Sequence, residues 1–316
     1  ISIVMTMVIA IVYYVRLAPV YPETNRMRTL VVKSAKMTND ESTHSANISY
    51  AMLKDWFYSL ESAEVSTGVS GTSYARVTND KEEIPTYARY TDENFFRVFP
   101  LVFLEGKPFT EADRRSGIHN VVLTDSYAQQ LFGTTKGVVG KNFLMDYTNV
   151  KVVGVVKSGS FLTPDSYAQV YLPYSCRDGY DDEGSHWALG GYRVYILMKE
   201  SKSVTDVQDE VLELVRKFNV SDMGDGWKLD LVGQPELYWH STFRLWSNVA
   251  VDWGRVIWMF VGIFMVLLFV PAFNLSGMIS ARMERQLPDL GIRKAFGASR
   301  RRLLVQIIWE NLLLTG

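Results

Sequence analysis

The sequence predicts a membrane protein, with transmembrane α-helices carrying one large α+β extracytoplasmic domain. Three observations predict it. Residues 256–273 (VIWMFVGIFMVLLFVPAF) contain no charged side chain over eighteen positions. Basic residues crowd directly after them: Arg282, Arg285, Arg293, Lys294, Arg300, Arg301 and Arg302 stand against Glu284 and Asp289 alone. Ahead of both lie about 235 residues of ordinary globular composition, enough to bury a core of their own.

Taken in order, the chain opens on residues 1–15, which are uncharged and end at Arg16. They read as the C-terminal part of a first membrane helix rather than a signal peptide. No basic n-region precedes them, and Tyr13 and Tyr14 suit the membrane interface. Both ends of the chain fall in apolar runs, so a longer parent protein is expected. The expected organisation is membrane helix 1 over 1–18, the extracytoplasmic domain over 19–250 and membrane helix 2 over 251–278. A cytoplasmic loop over 279–302 and the start of a third membrane helix over 303–316 follow.

Within the domain, residues 29–36 (TLVVKSAK) predict a strand. Over 49–60, Met52, Leu53, Trp56, Phe57 and Leu60 share one helical face. Residues 64–70 and 73–78 alternate as two strands around Gly71 and read as a hairpin. A strand at 86–91 and a short helix at 92–99 come next. Residues 120–123 form a strand that runs through Thr124, an N-cap, into a helix over 125–132 stopped by Gly133. The nearly unbroken apolar run 150–156 (VKVVGVV) predicts a strand buried on both faces. After a strand at 192–198, Ser203 and Asp206 form a capping box. Behind it Val204, Val207, Val211, Leu214, Val215 and Phe218 line one face of a helix. Residues 227–232 supply the last strand, and the length of the domain suggests two lobes.

The eighteen residues of 256–273 nearly cross a hydrocarbon core of about 30 Å, and Gly254, Asn274 and Leu275 complete the crossing. A helix pairs its own backbone groups there, as the bilayer demands. The basic excess places the following segment in the cytoplasm. Pro288 is disfavoured inside a helix, so a separate short helix is expected from about Gln286 or Leu287 to about Gly297. Its apolar Leu290, Ile292, Ala295 and Phe296 among basic residues suit a membrane surface or a partner's groove. Pro271 and Asn274 leave two readings open, a substrate path or an ordinary kink where a helix leaves the bilayer. Glu310, inside the third apolar segment, is a functional candidate by its charge.

Several classes are excluded. A formal net charge of −1 argues against a nucleic-acid binder. One cysteine, Cys176, allows no internal disulfide. Four scattered histidines (His44, His119, His186, His240) do not make a metal site. The acidic run 178–183 (DGYDDE) lacks the alternating ligands of a calcium loop and reads as solvated. Nucleotide-binding loops and nucleophile elbows are absent from the sequence, so no enzyme, cofactor or metal is expected.

The order of the C-terminal motifs, NLSGM (274–278), RMER (282–285), DLGIRKAFGA (289–298), a basic turn and QIIWENLLL (306–314), resembles the permease signature of the MacB/FtsX family of ABC transporters. LEGKPFTEAD (104–113), VVLTDSYAQQLFG (121–133), VGK (139–141) and VKVVGVV (150–156) are similar to the family's periplasmic core domain and fall in its order. One departure is Pro288-Asp289-Leu290, where the family more often has an acidic residue followed by Ile without Pro.

The resemblance implies a four-helix permease of the bacterial inner membrane that pairs as a homodimer or with a related permease. Its motor would be an ABC ATPase, separate or fused. The large domain would be a porter-like lobe carrying an inserted lobe. Leu290, Gly291, Ile292, Arg293, Lys294, Ala295, Gly297 and Ala298 would form the coupling helix seated on that ATPase. The implied function is mechanotransmission, in which ATP-driven dimer motion reaches the periplasmic domain for export or extraction of a peptide, drug or lipoprotein. A periplasmic adaptor and an outer-membrane channel are further implied partners. The alternative is an FtsX-like regulator that activates a cell-wall hydrolase or senses antimicrobial peptides. A third reading, a tethered adhesion or sensor domain, leaves the pattern at 282–298 unexplained.

Overall fold

The computed structural model describes Thr6 and residues 27–301 apart from 72, 80–81, 160–162, 164, 182–186, 222–225, 298 and 300, together with 305 and 309. The chain divides into two units, Met7–Val251 and a second made of Ile1–Thr6 with Asp252–Gly316. Apart from Thr6, the expected first membrane helix lies outside the described residues, as does Glu310.

The first unit opens with β1 (Thr29–Val32), β2 (Ala35–Thr38) and β3 (Thr43–Ile48). Then come helix α1 (Tyr50–Asp55) and strand β4 (Ala63–Ser70). The one strand expected at 29–36 is two strands, because Gln234 intervenes at the break. Its side-chain oxygen accepts from the Lys33 amide at 2.6 Å and its amide nitrogen donates to the Ser34 carbonyl at 3.1 Å. Ser49 caps α1, its hydroxyl accepting from the Met52 amide at 3.0 Å.

From Ser73 the chain builds a second sheet. It holds β5 (Ser73–Asn79), β6 (Glu82–Thr91), β7 (Phe103–Gly106), β8 (Asn120–Thr124), β9 (Asn142–Met145), β10 (Thr148–Val156) and β11 (Val170–Pro173). Helices α2 (Phe95–Val98), α3 (Glu111–Arg115) and α4 (Asp125–Phe132) are interleaved. The chain then returns to the first sheet with β12 (Leu189–Gly190), β13 (Tyr192–Met198), helix α5 (Val204–Val220), β14 (Lys228–Asp230), β15 (Glu236–Leu237) and helix α6 (Tyr238–Ser241). The second lobe is thus an insertion between β4 and β12.

In the first sheet, β13 is antiparallel to β1 (Thr29↔Leu197) on one side and to β4 (Tyr192↔Ser70) on the other. The expected β4–β5 hairpin around Gly71 does not form, since β5 pairs with β6 instead. The burial patterns explain the parting. The last six residues of β4 are buried throughout, whereas β5 exposes Tyr74 and Arg76 and buries Ala75 and Val77. β4 therefore belongs between two packed layers, and β5 belongs in a wall with one wet face.

That wall closes on itself. β10 pairs with β8, β8 with β11, β11 with β6, β6 with β5, β5 with β9, and β9 with β10 again. Closure gives each of these six strands a partner on both sides. Inside are Val77, Ala88, Val121, Leu123, Val152 and Val170, with Tyr127, Ala128 and Leu131 of α4 packed against them. Alternate residues of the same strands, Val122, Tyr171 and Val156, point outward to Val31, Val65, Tyr195 and Leu197 of the first sheet. The aromatic side chains of α2 fill the seam, with Phe95 5.5 Å from Tyr171, ring centre to ring centre. The other face of the first sheet holds Leu30, Val32 and Ile196 against Met52 and Leu53 of α1 and Val207, Val211, Val215 and Phe218 of α5.

Local signals recur in two helices. Gly133 ends α4 at φ 69°, although the Thr124 hydroxyl does not cap it. That hydroxyl faces Ser126 Oγ and the Gln169 carbonyl, and Asp125 accepts from the Ser126 amide at 2.7 Å in its place. α5 keeps the capping box of Ser203 and Asp206. Ser203→Ala is expected to lower the stability of the lobe by about 1 kcal/mol, read as a drop in the denaturation midpoint at unchanged m-value.

The second unit is dominated by α7 (Trp253–Ala295), a single helix of 43 residues. Its first part, Trp253–Met278, has a mean hydropathy of 2.6 and is long enough to cross a membrane. Apolar side chains face outward on every side there, including Ile257, Trp258, Phe264, Val266 and Phe273. A helix that is apolar all round is stable only inside an apolar phase. The break expected at Pro288 is absent: α7 runs through both Pro271 and Pro288. Extending an existing helix past one missing N–H costs about 3 kcal/mol, whereas stopping and starting again requires a new, unfavourable nucleus.

Candidate functional site

The sequence singles out the end of α7. The helix stops where the Phe296 amide donates to the Ile292 carbonyl and the Gly297 amide to that of Lys294, both at 3.1 Å. Gly297 takes φ 90°, the left-handed conformation that ends helices and that a side chain would strain. At 1.5 Å per residue α7 is about 65 Å long, and a bilayer with its headgroups is about 40–45 Å thick. A bilayer around the apolar first part of α7 would leave its last turns outside the hydrocarbon.

Those turns expose apolar surface. Phe296 is 89% exposed and Ile292 57%, with Gly291, Lys294 and Ala295 exposed beside them. An apolar pair with a lysine among small residues can seat in a partner's groove, the lysine answering an acidic rim. Backbone helix also includes Leu290, Arg293, Arg282 and Arg285, whose side chains lie outside the described residues. Ala298, Arg300 and Arg302 lie outside them too, and Arg301 is helical and exposed.

In the first unit the structure assembles two buried polar clusters that sequence reasoning missed. Asp165, from the loop between β10 and β11, accepts from Arg193 Nη1 of β13 and from the Tyr238 hydroxyl of α6, both at 2.8 Å. Lys33 Nζ, at the end of β1, lies 3.8 Å away. Burial alone would push the Asp165 carboxyl up, but the charges of Lys33 and Arg193 and the Tyr238 hydroxyl hold it below its ordinary value. Burial wins at Lys33, whose ammonium is lowered despite Asp165. This cluster ties the inserted lobe to the first sheet and to the segment leading out of the unit.

Asp92, fully buried at the seam between the lobes, is the second centre. Its carboxylate accepts from the Tyr58 hydroxyl at 2.6 Å, the Thr67 hydroxyl at 2.7 Å and the amides of Gly68 and Asn94 at 2.9 Å. Burial nevertheless raises its pKa to about 6. Gly68 and Thr67 lie on the outer edge of β4, so Asp92 covers a strand edge that would otherwise be open. No periodicity marks either cluster.

The remaining candidates are dispersed. Cys176 is half-buried in the inserted lobe, and burial pushes its thiol up to about 12, away from reactivity. Asp178 and Asp181 of the acidic run are exposed.

The chain is similar to the pyoverdine export ATP-binding/permease protein PvdT of Pseudomonas fluorescens, 24% identical over 241 residues, or 73% of this chain and 33% of that protein. It is 21% identical over 239 residues to the macrolide export ATP-binding/permease protein MacB of Escherichia coli K12, covering 75% of this chain and 34% of that one. The chain thus spans about a third of the length of these curated relatives. Among solved structures, the periplasmic region of MacB from Actinobacillus actinomycetemcomitans matches at 16% identity with a TM-score of 0.44, over 63% of this chain and 88% of that one. The model of the MacB-like periplasmic core domain matches residues 1–214, more than half of the sequence, and the chain belongs to that family.

Proposed function

We propose that this chain is the permease part of a MacB-like ABC transporter of the bacterial inner membrane. In this reading it carries ATP-driven motion from a cytoplasmic ATPase to the two-lobed domain, which lies in the periplasm. The observation that carries the reading is α7: one unbroken helix joins an apolar span to a water-exposed end with Ile292, Lys294 and Phe296 displayed. An unbroken helix moves as a rod, so a displacement at one end reaches the other. The basic excess at 282–302 supports a cytoplasmic position for that end.

The chain is no enzyme in this proposal, and hydrolysis belongs to a partner or fused ATPase. Leu290 to Ala298 seat on that ATPase, and the protein works as a dimer with itself or a related permease. A periplasmic adaptor and an outer-membrane channel complete the path. Both relatives are named as exporters, which supports export of a small molecule or peptide over regulation of a cell-wall hydrolase.

Co-purification of the full-length protein, with and without the sequence of 290–298 scrambled, tests the reading. An ABC ATPase is expected with the native sequence and lost with the scrambled one. Where the ATPase is fused, the readout is stimulation of its hydrolysis by reconstitution in lipid. Equal capture or equal hydrolysis in both proteins would end the assignment of this segment.

A further inference from the structure

Immediately before α7, residues 245–251 (LWSNVAV) carry no charge. Leu245 is 65% exposed, Trp246 68% and Val249 46%. An exposed Trp-Leu-Val group on a loose linker would mean little, but this turn is held. The Ser34 hydroxyl donates to the Ser247 carbonyl at 2.6 Å, and Arg244 Nη1 donates to the Val249 carbonyl at 2.7 Å. Arg244 is itself fixed, bonding the Val232 carbonyl at 2.9 Å through Nη2 and Glu236 through Nε, with both ionic side chains buried. The Val249 amide closes the turn on the Trp246 carbonyl at 3.1 Å. The backbone is thus locked in a form that presents all three apolar side chains outward, at the cost of leaving them wet in the isolated unit.

Four residues after Val249 the chain enters α7, and its apolar span begins there. Asp252 caps the helix, accepting from the Arg255 amide at 3.0 Å. The last charges before the hydrocarbon are therefore Asp252 and Arg255, and Leu245 to Val251 lie just on the watery side of them. Tryptophan favours that depth, where its ring meets acyl chains and its N–H meets headgroups.

We propose that the locked turn at 245–249 is a lipid-binding surface, with Trp246, Leu245 and Val249 inserted into the headgroup layer of the leaflet facing the two-lobed domain. The inference rests on the reading of α7 as a membrane span. The occupant is the bilayer because the turn is continuous with that span and bears no charge for a polar partner to meet.

Tryptophan quenching in nanodiscs tests it, using the full chain, Trp246→Phe and Trp258→Phe. Subtracting each variant's emission from that of the full chain isolates the emission of one residue. Phosphatidylcholine brominated near the headgroup is expected to quench Trp246 more than phosphatidylcholine brominated deep in the chain, and aqueous iodide is expected to quench it little. Quenching of Trp246 by iodide and by neither lipid would overturn the proposal. So would resistance to all three quenchers, which would mean that protein covers the turn. Trp258, 74% exposed on the span, is the control. If brominated lipid does not quench Trp258, the membrane reading of α7 itself fails; if only Trp258 is quenched, the span stands and this inference alone falls.

Discussion

Replacing Asp165 by alanine is expected to destabilise the two-lobed domain by about 3 kcal/mol, near the lower end of the range for breaking a buried ion pair. The cost comes from what remains. Lys33, whose side chain is 15% exposed, loses its partner in a site where burial already disfavours its charge. The 2.8 Å bond from the Tyr238 hydroxyl to Asp165 is lost as well. Arg193 limits the damage, because 39% of its side chain is open to water and can be solvated. In a domain of this size the change corresponds to a fall in melting temperature of roughly 6–12 °C. The double variant Asp165→Ala/Lys33→Met is expected to recover part of the loss, since it removes the orphaned charge and keeps apolar volume. A melting temperature unchanged in Asp165→Ala would show that the cluster holds nothing together.

Asp92 sets the second expectation, and its sign is opposite to that of an ordinary salt-bridged carboxylate. Its folded pKa is raised from 3.8 to about 6, so between these values the folded protein holds a proton that the unfolded chain has released. Stability from this group therefore increases as pH falls from about 6 toward 4, and is lost as pH rises through 6. The difference between the two limits is on the order of 3 kcal/mol. Asp165 works the other way: its pKa is held down, so its contribution is present above the ordinary carboxylate range and fades only in stronger acid. The two windows do not overlap. Asp92→Asn cannot titrate, so the difference in denaturation midpoint between it and the parent is expected to change across pH 4 to 7. Parallel curves would sink the assignment.

Both residues also show where reading a sequence stops. Elements governed by neighbours in the chain were legible. The spacing of Val207, Val211, Val215 and Phe218, the capping box at Ser203 and the glycine stop at Gly133 all recur in the structure. The run of 192–198 recurs as β13 with the same limits. Features governed by partners far along the chain were not. Gln234 splits the strand expected at 29–36, and β4 and β5 part into different lobes across Gly71 although their local pattern is that of a hairpin. Asp165 and Asp92 carry no signal of their burial, because each cluster is drawn from separate elements that only the fold brings together.

The C-terminal end of α7 is the intermediate case. The glycine at 297 and the apolar and basic residues before it were readable as a helix end, and the helix does end there. The start was not readable, because Pro288 is a local cue and the continuity of α7 is decided over the whole helix.

By itself the sequence determined the apolar span, the charge asymmetry around it, the α+β character of the domain and most of its elements. These follow from hydropathy, charge and short-range periodicity, which act over a few residues. Only the tertiary structure decided that the second lobe is an insertion closed into a ring, that its outer wall packs on the first sheet, and that buried ions rivet the two. Those outcomes depend on strand pairing and desolvation between residues distant in the chain, and neither leaves a local trace in the order of amino acids.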